Sequence, residues 1–169
     1  MNRRFHQLSC AVVFNFVVLV VASIVAFGAI ATPALADDYN KETLINADFS
    51  GRVLTDSSFT KANLRNSNFS HTDLQGVSFF AANLELANLE SANLTNATLD
   101  SARFTKANLT NAVLEGAFAS SAKFDGAVID GADFTDVLLR QDVQKQLCKV
   151  AKGTNPTTGR KTRETLYCP

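Results

Sequence analysis

From Leu44 to Leu139 a bulky apolar residue returns at every fifth position without insertion or deletion. Of these twenty positions eleven are Leu, seven are Phe, one is Ile129 and one, Ala119, is the exception. Two residues before each of these centres runs a second column of small residues, Ala at thirteen of the twenty positions and unbroken at every fifth residue from Ala82 to Ala132. A helix advances about 100° per residue, so a period of five swings the apolar position by about 140° each time and never builds a stripe. A continuous strand fails as well, because side chains alternate sides with period two and an odd repeat sends successive centres to opposite faces. What remains is a chain that bends once per repeat. The small residue and the centre point inward, the residue between them points outward, and the next two residues make the bend. Asn63, Asn83, Asn88, Asn93 and Asn108 fill the outward position, and polar or Gly residues fill many bends. The fold class this predicts is an all-β solenoid.

The pattern A-N-L-x-x, written out in Ala82-Asn83-Leu84, Ala87-Asn88-Leu89, Ala92-Asn93-Leu94 and Ala107-Asn108-Leu109, resembles the pentapeptide-repeat family over residues 44–139. The resemblance implies a right-handed quadrilateral β-helix with four pentapeptides per coil, hence about five coils. The period itself supplies neither the number four nor the hand. Four inward ladders follow from that coil length. The first is Leu44, Leu64, Leu84, Phe104, Phe124, and the second is Phe49, Phe69, Leu89, Leu109, Ile129. The third is Leu54, Leu74, Leu94, Leu114, Phe134, and the fourth is Phe59, Phe79, Leu99, Ala119, Leu139.

The chain before the repeat has a different character. Arg3 and Arg4 precede a stretch from Cys10 to Ala36 without a charged residue, and Pro33 leads into Ala34-Leu35-Ala36. A basic start, an apolar middle and an A-x-A ending describe a secretory signal peptide over residues 1–36, with cleavage between Ala36 and Asp37. An uncleaved transmembrane anchor is the alternative, since the apolar run approaches the roughly 20 residues that span a bilayer. After cleavage, no stable membrane insertion is expected. Residues 37–43 then form a lead-in to the solenoid.

A solenoid needs its open coil ends covered. After Leu139, Asp142 can start a helix, Val143, Leu147 and Val150 recur on one face, and Gly153 stands where the helix would stop. Residues 140–169 are therefore read as a short C-terminal α-helical cap and a tail. Cys148 and Cys168 are the two cysteines left beyond the signal, and in an exported chain they point to one disulfide that pins the tail to the cap. A redox switch through the same pair is the alternative. The segments Leu147-Cys148, Gly153-Thr154-Asn155-Pro156-Thr157-Thr158-Gly159 and Thr162-Arg163-Glu164-Thr165-Leu166-Tyr167-Cys168 resemble the tails of thylakoid-lumenal pentapeptide-repeat proteins. That resemblance implies a cyanobacterial or chloroplast-related origin and a destination in the thylakoid lumen or periplasm.

Chemistry is sparsely represented. His71, beside Thr72 and Asp73, is the one histidine beyond the signal, and it has no nucleophile motif or phosphate-binding glycine loop for company. No catalytic residue, cofactor, metal or small-molecule ligand is expected. Residues 37–169 hold 14 basic and 16 acidic side chains, a balance of about −2 that does not fit a nucleic-acid binder. Some family members imitate duplex DNA with an acidic rod. Here the weak charge and the stacking of Arg103 with Lys123 speak against that role. An unknown protein partner is the expected ligand, and Phe80, Phe118 and Leu138, apolar where the register calls for exposed polar residues, form the candidate patch. The competing packing expectation is that the cap covers them or that Phe118 turns inward to fill the space left by Ala119.

Overall fold

The computed structural model describes residues 36–169, which belong to one compact unit. The proposed signal peptide lies outside the described residues except for Ala36, the last residue before the expected cleavage point.

Parallel β-bridges run from Asp38↔Ser58 to Phe118↔Leu138, and every one of them joins residues twenty positions apart. With a repeat of five, one circuit of the chain is four repeats, so each coil is a square. Each side is so short that neighbouring coils meet at a single residue, the outward one between the small residue and the centre. Two hydrogen bonds hold that residue. In the middle of the stack Asn83 N–H donates down to Ala62 C=O at 2.9 Å, and Leu64 N–H donates up to Asn83 C=O at 2.8 Å. The corners are β-turns in which the fourth residue donates to the first, as in Ala87 N–H to Leu84 C=O at 3.1 Å. The third residue of such a turn takes positive φ, +58° at Asn66, +58° at Asn111 and even +61° at Leu86. Asn and Gly at this position reduce the cost that a larger side chain bears.

The inward columns stack as the period requires. Leu64, Leu84, Leu89, Leu94, Leu99, Leu109 and Leu114 are fully buried, as are the alanines from Ala87 to Ala117. Burial of each Leu or Phe contributes about 1.5–3 kcal/mol before the entropy of ordering the chain is subtracted. Where the small column carries a hydroxyl, the group is spent on backbone. Ser67 donates to Leu64 C=O at 2.7 Å, and Thr72 donates to Phe49 C=O at 2.9 Å.

The solenoid begins earlier than the sequence pattern indicated. Residues 37–43 are not a lead-in. Asp38 bridges Ser58, and the Tyr39 ring stacks on Phe59 with centroids 4.7 Å apart, so Tyr39 is one more centre at the foot of the fourth ladder. A phenol escaped the Leu/Phe pattern because its ring buries like Phe while its hydroxyl reaches outward to Asp37 at 3.1 Å. The ladder continues from Phe59 to Phe79 at 5.2 Å, and Phe49 and Phe69 stack beside it at 4.8 Å.

After Leu139 the chain leaves the square. Helix α1 spans Gln141–Cys148 and α2 spans Thr162–Thr165. Leu147 is buried under α1 and Val143 is half-buried, but Val150 lies beyond the helix and is 54% exposed, so it does not extend the apolar face as expected.

Leu94 stands at mid-stack with no exposed surface. Leu94→Asp would place an unpaired charge there and is expected to abolish the cooperative thermal transition in circular dichroism. A transition retained near the wild-type temperature would contradict the ladder.

Candidate functional site

The candidate surface is built by the fourth wall of the square. Above Asp38 its outward column reads Ser58, Ser78, Thr98, Phe118, Leu138, each bridged to the next. The lower half is hydroxylic. Ser58 Oγ lies 3.2 Å from Thr60 Oγ1, which lies 3.0 Å from Ser78 Oγ. The upper half is apolar, with Phe118 51% and Leu138 58% exposed. Neither packing expectation holds: the cap does not cover this pair, and Phe118 does not turn inward. Its backbone is bridged on both sides, to Thr98 and to Leu138, and this directs the side chain outward. Ala119 is nevertheless buried. Phe80 is also exposed, at 42%, but it belongs to a turn at the level of Ser78, two coils below Phe118. The structure therefore brings Phe118 and Leu138 together and leaves Phe80 apart.

Residues 140–169 hold seven basic and two acidic side chains, whereas 37–139 hold seven basic and fourteen acidic. The weak overall charge thus conceals a cationic cap on an anionic rod, and the two parts are latched by it. Arg160 Nε donates to Asp133 Oδ2 at 2.7 Å and its Nη2 donates to Glu115. Lys152 Nζ lies 3.2 Å from Asp130, and Gln146 reaches Asp125 at 3.4 Å. Glu115, Asp125 and Asp130 are therefore anchor points for the cap.

Asp133 is fully buried. Burial alone would raise its carboxyl, but hydrogen bonds from Thr135, Thr158 and Arg160 outweigh it and hold the group below the usual carboxylate range. Asn155, also fully buried, plugs the top of the last coil. Its Nδ2 faces the carbonyls of Asn111, Ala112 and Gly131 at 3.1, 3.3 and 2.9 Å, while its Oδ1 accepts from Thr157 and Thr158 N–H. Gly131 N–H donates to Lys152 C=O at 2.9 Å and Phe134 N–H to Thr165 Oγ1 at 3.0 Å. The tail thus supplies partners that a further coil would have supplied. Gly153 has φ +82°, and a Cβ there would stand 2.8 Å from Gly131 N, so the tail crosses the coil at a glycine. Sequence reading missed Asn155, Arg160 and Asp133. The available signals were a cation-rich tail and an Asn-Pro pair that reads as an ordinary turn.

The cysteine pair is joined. Cys148, at the end of α1, bonds Cys168 across a Cα separation of 5.5 Å. The bridge ties the chain's last residues to the cap, and Arg163 reinforces it by donating to Cys148 C=O at 3.0 Å and Pro169 O at 2.7 Å.

His71 occupies an exposed turn with φ +56°. The hydroxyl of Thr72 is spent on Phe49 C=O, and Asp73 accepts from Gln75 and Asn93, so the three do not converge. Among the described residues there is no group of three or more potential metal ligands, and no helix long and apolar enough to cross a membrane.

The description "pentapeptide repeat region" matches residues 52–134. A crystal structure of a pentapeptide repeat protein from the Arabidopsis thaliana thylakoid lumen is similar at 46% identity and a TM-score of 0.71, covering 80% of this chain and 90% of that one. The chain belongs to the pentapeptide-repeat family. Membership implies the right-handed sense of the square coil. The curated thylakoid lumenal 15 kDa protein 1, chloroplastic, of the same plant is 65% identical over 37 residues, which are 22% of this chain and 16% of that relative.

Two outcomes follow for the cap. Asn155→Ala would remove the donor that the Asn111 and Gly131 carbonyls share, a loss of about 1–3 kcal/mol, read as a lower midpoint in denaturant unfolding. A folded-state carboxyl below its unfolded value of about 3.9 stabilises above that pH, and the contribution is lost as pH falls through the folded value. Hydrogen-exchange protection of the tail is therefore expected to hold from about pH 7 to pH 5 and to decline below about pH 4. In Arg160→Met the carboxyl loses one of the hydrogen bonds that depress it, so protection should already be lower at pH 7 and its decline with acidification smaller.

Proposed function

We propose that the chain is an exported, non-enzymatic protein-interaction module that works in the thylakoid lumen or periplasm. Residues 1–36 serve as its secretory signal, cut between Ala36 and Asp37, and the square solenoid with its C-terminal cap presents a rigid patterned surface. Similarity to lumenal proteins of Arabidopsis supports the compartment. The interaction reading is carried by one observation, the paired exposure of Phe118 and Leu138 one coil apart in a column whose lower positions are all polar. Adjacent large apolar side chains held outward by a rigid backbone gain free energy when a partner covers them. Enzymatic activity has no support in the arrangement around His71.

A second reading, a thiol-regulated lumenal factor, is favoured by the setting of the disulfide. Cys148 lines an open cleft of about 260 Å³ together with Lys145, Tyr167 and Pro169, so a reductant can approach it. Reduction would free the last residues from α1.

Phe118→Ser should weaken capture of a partner cross-linked in the native compartment while leaving the melting temperature nearly unchanged. A large loss of stability would assign Phe118 to packing. For the second reading, non-reducing mass spectrometry across a redox titration should find the Cys148–Cys168 bond opening within the compartment's range of potentials. A bond that stays closed throughout leaves only its structural role.

A further inference from the structure

The first wall of the square carries an arrangement that the chain's own stability does not explain. Along the second wall, outward asparagines form a ladder. Asn88 Nδ2 reaches Asn68 Oδ1 at 3.3 Å and Asn108 Nδ2 reaches Asn88 Oδ1 at 3.0 Å. Each of these also accepts a backbone N–H two residues on, as Asn88 does from Glu90 at 3.2 Å. The first wall starts in the same way, with Asn83 Nδ2 3.5 Å from Asn63 Oδ1. One coil higher the asparagines give way to Arg103 and then Lys123, direct bridge partners on neighbouring coils. Backbones there are about 4.8 Å apart, so two cations stand side by side, a pairing that destabilises relative to the ladder it interrupts.

None of the ion pairs among the described residues engages Arg103, Lys123 or Lys106, which occupies the adjoining corner, and all three are exposed. The nearest acids in the sequence accept from neutral side chains, Asp100 from Ser120 at 2.7 Å and Asp125 from Gln146 at 3.4 Å, and neither forms an ion pair with these cations. Three of the seven cations between residues 37 and 139 are therefore gathered on one short stretch of an otherwise anionic rod.

We propose that the wall bearing Arg103, Lys106 and Lys123 docks a short acidic segment of a partner protein, whose carboxylates complete the charge pairs that the chain leaves open. This rests on the reading of the solenoid as an interaction module, but it uses a different wall from the Phe118–Leu138 pair. The occupant is short because the cationic stretch spans two coils, about 10 Å with the spacing of sheet strands. A long polyanion such as nucleic acid would run on into the acidic remainder of the rod and be repelled.

The test uses the chain from Asp37 to Pro169, labelled for NMR, with an oligoglutamate peptide as probe at low ionic strength. Amide shifts should concentrate at and around Arg103, Lys106 and Lys123. Replacing the pair by the ladder residue, Arg103→Asn with Lys123→Asn, should weaken peptide binding about tenfold while leaving the melting temperature equal or higher. Should that double variant misfold, Lys123→Gln alone provides the same comparison. Lys41→Asn with Lys61→Asn, an equal charge change elsewhere, should alter affinity by less than about twofold. Phe118→Ser should leave peptide binding intact, which separates failure of this surface from failure of the apolar one. Dispersed shifts, no binding, an equal loss in the Lys41 and Lys61 control, or tighter binding of an oligodeoxynucleotide than of the peptide would each overturn the proposal.

Discussion

The stacking of each inward side chain on its counterpart twenty residues away is the constraint from which the rest of the molecule follows. The square coil has no independent core, because a single turn of four repeats cannot bury its own Leu or Phe side chains. Burial is complete only where coils lie both above and below, as at Leu84, Leu89 and Leu94. Stability therefore depends on neighbour contacts, and every unpaired coil end is a liability. The single-residue bridges tolerate no slip, since a shift by one residue would carry an outward Asn into the column now held by Leu.

That liability explains the form of the C-terminal segment. A helix laid over the last coil covers apolar surface, but it offers no free backbone groups to the carbonyls and N–H groups left at the edge. Those are met by Asn155, by Lys152 C=O and by the hydroxyl of Thr165. Opposite charge then holds the two parts together, with Arg160 set between Asp133 and Glu115. Because Asp133 is buried, its pairing is not screened as a surface ion pair would be. The disulfide closes the outer end of the same segment, away from the polar plug.

The walls are what remains for function. A backbone bridged on both sides leaves an outward side chain little freedom to reorient, so residue identity along a column translates directly into surface chemistry. Asparagine columns satisfy themselves. Columns that change character, from hydroxyl to Phe118 and Leu138 or from Asn83 to Arg103 and Lys123, do not. Both proposed docking surfaces lie at those changes, in the upper coils next to the cap.

Much of this was legible from the chain alone. A five-residue period excludes helix and flat strand, and the inward pair, the outward residue and the bend follow from side-chain alternation. The pairing of Cys148 with Cys168 followed from there being two cysteines beyond the proposed signal peptide. Tyr39 was missed because a pattern of Leu and Phe does not announce a phenol with its hydroxyl at the rim. The exposure of Phe118 and its distance from Phe80 depended on knowing which coil each residue joins. The contacts of Asn155, Arg160 and Asp133 could not be read, since they join a tail without period to coil residues 24 to 45 positions away. A local repeat propagates its own geometry, so sequence determines the walls. The closing of the open end is a set of single long-range contacts, and only the tertiary structure decided which side chains would make them.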